Sequence, residues 1–269
     1  MNEITKKQVP FSVAIRSDAY KNMINRSLTN EKVAENFIAN ITSVVANNPS
    51  IRNCDPATII AGGLTAHSLN LSLSNSLGYC ALVPYKTKDG DKAQFQLMYR
   101  GFIQLAERTG QYKRLGVRPV HNGEYQGQDE FGDDTFKFSH DYDNQEIIGY
   151  YAYFELLNGF RKTLYWTKEQ CKQHATRYSK AYAKGGTTLW NTDFDLMAEK
   201  TVLKQLLSKW GVMSIELQHA TEVDQAVIKN DMTPEYVDNE SEEQTSNVAD
   251  TLGDISEEET EAMEKYING

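Results

Sequence analysis

Residues 150–166 read YYAYFELLNGFRKTLYW, and this stretch decides the fold class of the chain. Two runs rich in aromatic and apolar residues, Tyr150–Leu157 and Phe160–Trp166, enclose the dipeptide Asn158-Gly159. Asn-Gly between two such runs is a strong signal for a β-hairpin, because both residues tolerate the positive φ angles of tight hairpin turns. The stretch therefore predicts two paired antiparallel strands.

The segments around this hairpin predict helices and further antiparallel strands. Upstream, Tyr79–Tyr85 and Ala93–Met98 indicate a second hairpin with Asp89-Gly90 in its connection, and Leu115–Trp166 reads mainly as strands. Apolar spacing and capping residues predict helices from Val33 to Asn47-Asn48-Pro49, after Asp55-Pro56, over Gly101–Thr109 before Gly110, from the Thr167–Gln170 capping box, and over Asp193–Lys209 before Gly211. The predicted class is α+β, a small antiparallel sheet and hairpins flanked by helices.

The net charge of −9 is unevenly distributed along the chain. Residues 1–220 hold 26 basic and 22 acidic residues and carry +4, whereas residues 221–269 carry −13 and contain neither Trp nor Phe. A mildly basic, aromatic-rich body with an acidic tail is typical of nucleic-acid partners, although a solvated domain with a disordered acidic end has the same composition. We expect an N-terminal arm (1–28), a core (29–220), and an acidic, mostly disordered tail (221–269) that ends in a short helix near Glu258–Ile267.

Composition also excludes several classes of protein. No stretch approaches the ~18 consecutive apolar residues of a membrane span, and Met1–Pro10 lacks the apolar core of a secretory signal. A cytoplasmic protein without membrane contact is therefore expected. Cys54, Cys80 and Cys171 form no Cys-x-x-Cys pair, which excludes a disulfide scaffold and a four-cysteine zinc site.

Motifs for bond chemistry are scarce. The dipeptide Gly-Lys never occurs, so the chain has no Walker A loop, and the common hydrolase, zinc-protease and dinucleotide motifs are also missing. The best metal-like cluster, His140, Asp141, Asp143 and Glu146, could hold Mg²⁺ in a nuclease. An Asp/Asn-rich turn between strands explains these residues more simply. We expect no enzyme activity and no cofactor, neither nucleotide nor required metal, with Mg²⁺ at most modulatory.

Basic and aromatic residues are interleaved at several places in the core. Basic side chains neutralise phosphates and aromatic rings stack on bases, and single-strand binders combine the two. Lys200 and Lys204 are spaced to share one helix face. A solvated face explains these two lysines equally well, whereas Tyr178 and Tyr182 suit the core least because basic residues surround them. The candidate DNA-binding residues are Lys86, Lys88, Lys92, Tyr99, Arg100, Arg108, Lys113, Arg114, Arg177, Tyr178, Lys180, Tyr182, Lys184, Lys200 and Lys204.

Within the segment Leu69–Gln111, residues 78–86 read GYCALVPYK and residues 95–111 read FQLMYRGFIQLAERTGQ. This segment resembles the signature of the RecT family of phage and prophage single-strand DNA annealing proteins. Gly149-Tyr150-Tyr151 and the MAEKTVLK sequence at 197–204 agree with the same family. The resemblance covers roughly Glu31 to Trp210 and includes several motifs in order.

This resemblance implies ATP-independent binding of single-stranded DNA and annealing of complementary strands, including the annealed duplex as a product. It also implies oligomeric rings or helical filaments, action beside a 5′–3′ exonuclease, and a C-terminal region that binds the exonuclease or the host single-strand-binding protein. One departure is that Ser72 or Ser74 stands where the family often has an acidic residue.

Two further expectations concern the subunit. A single basic groove is predicted to hold phosphates, and residues 1–28 are predicted to reach a neighbouring subunit. Two alternatives stay open at this point. One is a metal-dependent nuclease that uses the acidic region Asp129–Glu146, and the other is a structural filament-forming phage protein.

Overall fold

The structure is a computed structural model that describes residues 9–28, 30–74, 76–88 and 90–236. Its helices are α1 (Phe11–Ala14), α2 (Asp18–Ser27), α3 (Glu31–Asn47), α4 (Pro56–Ser68), α5 (Tyr99–Glu107), α6 (Lys168–Tyr178), α7 (Lys180–Ala183), α8 (Leu189–Thr192), α9 (Phe194–Trp210) and α10 (Ile215–Val223). Its strands are β1 (Cys80–Thr87), β2 (Gly90–Leu97), β3 (Tyr112–His121), β4 (Tyr125–Gln128), β5 (Asp134–Phe136), β6 (Ile147–Leu156), β7 (Arg161–Thr167), β8 (Ala226–Ile228) and β9 (Pro234–Glu235). The α+β class is confirmed, and the helix predicted near Glu258–Ile267 lies outside the described residues.

Four strands form the first antiparallel sheet, in the order β1-β2-β8-β9. The strands β1 and β2 are the predicted upstream hairpin, with Cys80 opposite Leu97 and Thr87 opposite Gly90. Helix α4 packs on this sheet and is buried on nearly all sides. Gly62 permits the close packing, because an added Cβ would lie 2.6 Å from Leu82 Cδ2.

The predicted start of α4 is confirmed in atomic detail. The Asp55 carboxylate accepts a hydrogen bond from the Ala57 N–H at 3.0 Å, and Pro56 occupies the first helical turn. A side-chain acceptor satisfies a backbone amide that has no partner within the helix, and proline lacks an amide that would need one. Two neighbouring residues therefore fix the beginning of this buried helix.

The hairpin at residues 150–166 belongs to a second antiparallel sheet, in the order β3-β6-β7. Gly159 adopts a φ of +88° in the connection between β6 and β7, which glycine does without steric cost. The capping box after β7 is also confirmed. The Gln170 N–H donates to Thr167 Oγ1 at 3.1 Å, and the Thr167 N–H donates to Gln170 Oε1 at 2.8 Å.

The two faces of the β3-β6-β7 sheet have different surroundings. The inner face carries Tyr150, Ala152 and Phe154, all buried, and packs against α6 and α9. The outer face carries Tyr151 and Tyr153, and the separate β4-β5 hairpin covers part of it. The sheet therefore separates two surfaces of the protein.

The folded part extends further toward the C terminus than predicted. Residues 221–236 were expected to begin a disordered linker, but α10 continues to Val223 and Ala226–Ile228 form a buried strand beside β2. The strand could not be recognised in this acidic segment because it contains only three residues, all of them apolar. Its burial depends on a partner strand that is distant in sequence.

The N-terminal segment also differs from the expected arm over its described part. Residues 11–27 form α1 and α2, and Phe11, Ile15 and Ile24 are buried in the main core. Few apolar residues are involved, so the sequence periodicity of this segment is weak. Its role in contacts between subunits remains a prediction. No helix within the described ranges is long and apolar enough to cross a membrane.

Candidate nucleic-acid interface

Helix α9 carries the predicted lysine pair, and the two ammonium groups have different environments. Lys200 is 1% exposed, and its Nζ donates to Asp224 Oδ1 at 2.8 Å. Lys204 Nζ lies 3.7 Å from Asp224 Oδ2, and its side chain is 14% exposed. The prediction that Lys200 contacts a phosphate is wrong, because its charge is paired inside the core. Lys204 remains partly exposed, although its ammonium group also faces Asp224.

Lys204 borders a small cavity between α6, α8 and α9, which we call the lysine notch. The cavity measures about 20 Å³, room for about one water molecule. Its walls combine aromatic rings with ammonium groups, and they are formed by His174, Tyr178, Ser179, Trp190, Lys200, Thr201, Lys204 and Gln225. This lining suits a single water molecule or hydrogen-bonding atom beside tilted aromatic rings.

Predicted basic residues at the end of α6, on α7 and directly after it lie in the segment that contains Tyr178 and Ser179 of the notch lining. Arg177, Lys180 and Lys184 are all exposed. The Ser179 hydroxyl starts α7 by accepting from the Tyr182 N–H at 3.3 Å, which holds this short helix directly after α6. The local turn therefore places three cations next to one another at the surface.

Tyr178 and Tyr182 are less exposed than their basic neighbours in the sequence suggest. The Tyr178 ring lies 4.5 Å from the His174 ring, and the Tyr182 ring lies 6.4 Å from the Trp190 ring. Both tyrosines are half-buried. The Arg177 guanidinium lies over the Tyr178 ring at 5.3 Å, so Tyr178 joins the aromatic cluster to the basic surface.

The base of the β1-β2 hairpin borders the notch through Gln225. The Gln225 N–H donates to the Phe95 carbonyl at 2.9 Å, and Gln94 Nε2 donates to the Gln225 carbonyl at 2.5 Å. The hairpin then extends to its tip, where Lys86 and Lys88 are exposed. Lys92, also predicted, pairs with Glu235 of β9 at 3.5 Å. We call the lysine notch, the cations of α6–α7 and the hairpin lysines the hairpin–notch site.

The predicted residues of α5 have separate roles. Arg100 is exposed at the start of α5, and its Nε donates to the Tyr99 hydroxyl at 3.1 Å. Arg108 instead donates to the backbone carbonyls of Leu69 at 2.7 Å and Asn70 at 2.8 Å. Arg108 therefore holds the turn after α4, where Asn70 has a φ of +51°.

Lys113 and Arg114 lie on the outer face of the β3-β6-β7 sheet, away from the notch. Lys113 Nζ lies 2.8 Å from Glu155 Oε1, and Arg114 Nε lies 3.9 Å from Glu155 Oε2. Helix α9 packs on the opposite side of this sheet. The prediction of one groove containing all these cations is therefore wrong, because the sheet stands between Lys113 and Lys204.

Sequence reasoning missed several residues of this outer face. Arg161 Nη2 lies 3.3 Å from Glu155 Oε1, and Arg118 lies over the Phe138 ring at 4.0 Å. A hydrogen bond from Lys113 is the first cause that holds the pKa of Glu155 below its ordinary value. Alternation along β6 could have revealed the face, because every second residue of that strand points the same way.

The metal-like residues lie in a turn between β5 and β6. His140 Nδ1 lies 3.0 Å from Asp143 Oδ2, and the Ser139 hydroxyl donates to Asp141 Oδ2 at 2.8 Å. Within the described ranges, no three His, Cys, Asp or Glu side chains come together as a metal site. The bonds within this turn agree with the simpler interpretation of these residues.

Glu199 is a half-buried acid on α9, next to Lys200 in sequence but on the side facing Asp195. Burial raises the pKa of Glu199 to about 7, and the nearby charge of Asp195 contributes in the same direction. Asp195 in turn accepts a hydrogen bond from the buried Tyr150 hydroxyl at 2.5 Å. This side of α9 therefore binds protons more tightly in the folded protein than a free carboxylate does.

Comparisons with known proteins point to one family. The family model described as "RecT family" matches residues 35–246. The chain is 39% identical over 260 residues to "Uncharacterized protein YqaK" of Bacillus subtilis (strain 168), covering 93% of this chain and 85% of that protein. It is 29% identical over 217 residues to "Protein RecT" of Escherichia coli (strain K12), covering 78% of each.

Proposed function

We propose, from the premise that the chain belongs to the RecT family of single-strand DNA annealing proteins, that it pairs complementary strands in recombination without ATP. The activity requires binding and release of DNA and makes no covalent bond. A protein of this kind must hold the phosphates of one strand while its bases stay accessible to a second strand. The positions of the exposed basic side chains support this function.

The hairpin–notch site is the observation that supports this proposal. Exposed lysines on α7 and on the β1-β2 hairpin come from segments distant in sequence, and the notch lining holds Lys204 of α9 together with Ser179 and Gln225, which adjoin these two segments. Phosphate contacts of this kind are independent of base sequence, and aromatic rings add a stacking surface that accepts every base. A site with both features suits strands of any sequence.

The finer features of the function are proposals of the same kind. We expect the protein to work as an oligomeric ring or helical filament, because one subunit of 30.5 kDa offers few cations for a long strand. We also propose a cytoplasmic location and action beside a 5′–3′ exonuclease. The acidic C-terminal segment is proposed to bind that exonuclease or the host single-strand-binding protein. Mg²⁺ is proposed to act at most as a modulator.

An annealing assay tests the proposal against both alternatives. Two complementary labelled strands are mixed with the full chain and EDTA, without nucleotide, and a non-complementary pair serves as the control. Duplex formation with intact strands, faster than without protein, supports the proposal. Cleavage after addition of Mg²⁺ would support a nuclease. Absence of both annealing and cleavage would support a structural protein. Either of these two results overturns the proposal.

A further inference from the structure

The open half of the outer β3-β6-β7 face carries a second group of cations around an aromatic ring. We call it the tyrosine face and define it by Lys113, Arg114, Gly116, Arg118, Tyr153, Glu155, Arg161 and Thr163. Helix α9 with Lys204 lies on the other side of the sheet. The tyrosine face is therefore separate from the hairpin–notch site.

The Tyr153 ring lies over the neighbouring strand. Gly116 is opposite Tyr153 in the register of β3 and β6, and a Cβ at Gly116 would lie 2.8 Å from Tyr153 Oη and 2.9 Å from Cζ. The ring occupies this space because glycine has no side chain. The ring therefore rests against the backbone of β3, and because the residue is only half-buried, part of it remains accessible.

A row of aromatic rings supports Tyr153 in this orientation. The Tyr151 ring lies beside it on the same strand, with centroids 5.8 Å apart and an angle of 25° between the planes. Tyr151 packs in turn against Phe136 at 4.6 Å and Phe138 at 5.5 Å. These contacts leave Tyr153 little rotational freedom, so a planar ligand that stacks on it loses little additional entropy.

The cations around Tyr153 exceed the acids. Lys113, Arg114 and Arg161 all approach the single carboxylate of Glu155, within 2.8–3.9 Å. One carboxylate balances one of these charges, so two positive charges remain beside the ring. The Arg114 and Arg161 side chains are 71% and 73% exposed. Both guanidinium groups can therefore rotate toward a ligand above the face.

We infer that the tyrosine face is a second binding surface for single-stranded nucleic acid. A base stacks on Tyr153, and the phosphates on either side of it contact Arg114 and Arg161. Flat aromatic rings flanked by basic side chains are the combination that binds single strands without sequence preference. A second copy of this face is a poorer occupant, because its excess positive charge would repel the first copy. The inference adds a surface to the proposed function and is tested separately from it.

Photocrosslinking tests the stacking contact directly. The full chain is irradiated with a short oligothymidylate that carries 5-iodouracil, which crosslinks to aromatic side chains stacked on it, and the linked peptide is identified by mass spectrometry. We expect a crosslink at Tyr153 in the parent and in Tyr153→Phe, which keeps the ring. Gly116→Ala places a Cβ against the ring and should reduce the yield about tenfold, with folding checked by circular dichroism.

The cations are tested by equilibrium binding. Arg114→Gln with Arg161→Gln removes two positive charges, and Lys32→Gln with Lys209→Gln, at exposed positions of α3 and α9, is the control with the same change in net charge. Protein saturated with unlabelled oligothymidylate is titrated with a labelled strand of the same composition. We expect the dependence of log affinity on log salt to fall by about 1.4 in the first variant, at ~0.7 per lost contact, and to be unchanged in the control.

Three results would overturn the inference. One is a crosslink map without Tyr153 in the parent. Another is equal salt dependence in the two double variants. The third is loss of oligomers in the Arg114/Arg161 variant with unchanged DNA binding, which would make the face a contact between subunits. Lys180→Gln with Lys184→Gln should keep the Tyr153 crosslink, so failure of the hairpin–notch site is distinguishable from failure of the tyrosine face.

Discussion

Lys200 and Asp224 form an ion pair in the core, with Lys200 Nζ donating to Asp224 Oδ1 at 2.8 Å. The same carboxylate accepts from the Leu97 N–H at 2.9 Å, so it connects α9, β2 and the segment after α10. Burying these charges is costly, and their pairing offsets that cost. The integrity of the folded unit therefore depends on a residue beyond position 220.

Asp224→Asn should destabilise the protein strongly. The amide keeps the shape and can still accept from the Leu97 N–H, but Lys200 loses the charge that compensates its own. Removal of one partner of a buried pair costs about 3–5 kcal/mol. Urea unfolding followed by circular dichroism measures this change. The exposed control Lys180→Gln should stay within about 0.5 kcal/mol of the parent. A parent-like unfolding free energy for Asp224→Asn would refute the role of the pair.

Truncation should have opposite effects at two positions. Removal of residues 237–269 leaves every described element in place, and annealing of naked strands is expected to persist because the removed segment is strongly acidic. Removal of residues 221–269 also deletes Asp224 and β8 and should unfold the protein. If the tail recruits a partner, the shorter truncation fails on strands coated with the host single-strand-binding protein. If the protein without residues 237–269 anneals coated and naked strands equally well, the tail does not recruit a partner.

Glu199 should make stability depend on pH. Its pKa is raised to about 7 in the folded protein, so the folded state binds a proton more tightly than the unfolded state does. Its favourable contribution is complete below the unfolded pKa of about 4.5 and is lost as the pH rises through 7. Glu199→Gln should therefore raise Tm by about 2–4 °C at pH 8 relative to the parent. The same comparison at pH 4 should show almost no gain, and an equal gain at both pH values would contradict the assignment.

Substitution of the hairpin tip should affect DNA binding without affecting folding. Lys86 and Lys88 are exposed, so Lys86→Gln with Lys88→Gln should change the unfolding free energy by less than about 0.5 kcal/mol. The salt dependence of single-strand affinity should fall by up to about 1.4 if both lysines contact phosphates. Fluorescence anisotropy over a range of salt concentrations measures it. A salt dependence equal to that of the Lys32/Lys209 control would place the tip outside the DNA site.

Features encoded within a few residues were predictable from the sequence. Gly159 in its turn, the Thr167–Gln170 capping box and the Asp55-Pro56 start are all present, because each depends on bonds between near neighbours. The class of the fold followed from such elements. The fold class depends on which helices and strands form and on their order along the chain, and both are encoded locally.

Features that depend on distant partners were missed. The burial of Lys200 could not be read from its helix, since Asp224 lies outside the span of the family motif that contains Lys200. The strand Ala226–Ile228 forms because it pairs with β2, since three residues alone do not specify a strand. Lys113 and Lys204 are both basic, yet nothing local indicates that a sheet stands between them. Charge and spacing identified candidate cations but could not assign them to one surface.

The hairpin–notch site is tested most directly by annealing kinetics of Lys180→Gln with Lys184→Gln, measured beside the Lys32→Gln, Lys209→Gln control. Both variants lose two exposed cations, and only the first loses them from the segment that follows Ser179 of the notch lining. We predict that the first variant anneals complementary strands at least about tenfold more slowly near 0.2 M salt, where phosphate contacts affect affinity strongly. The control should anneal at the parent rate. Equal rates for the parent and both variants, with folding intact, would contradict the proposal that this site holds the DNA.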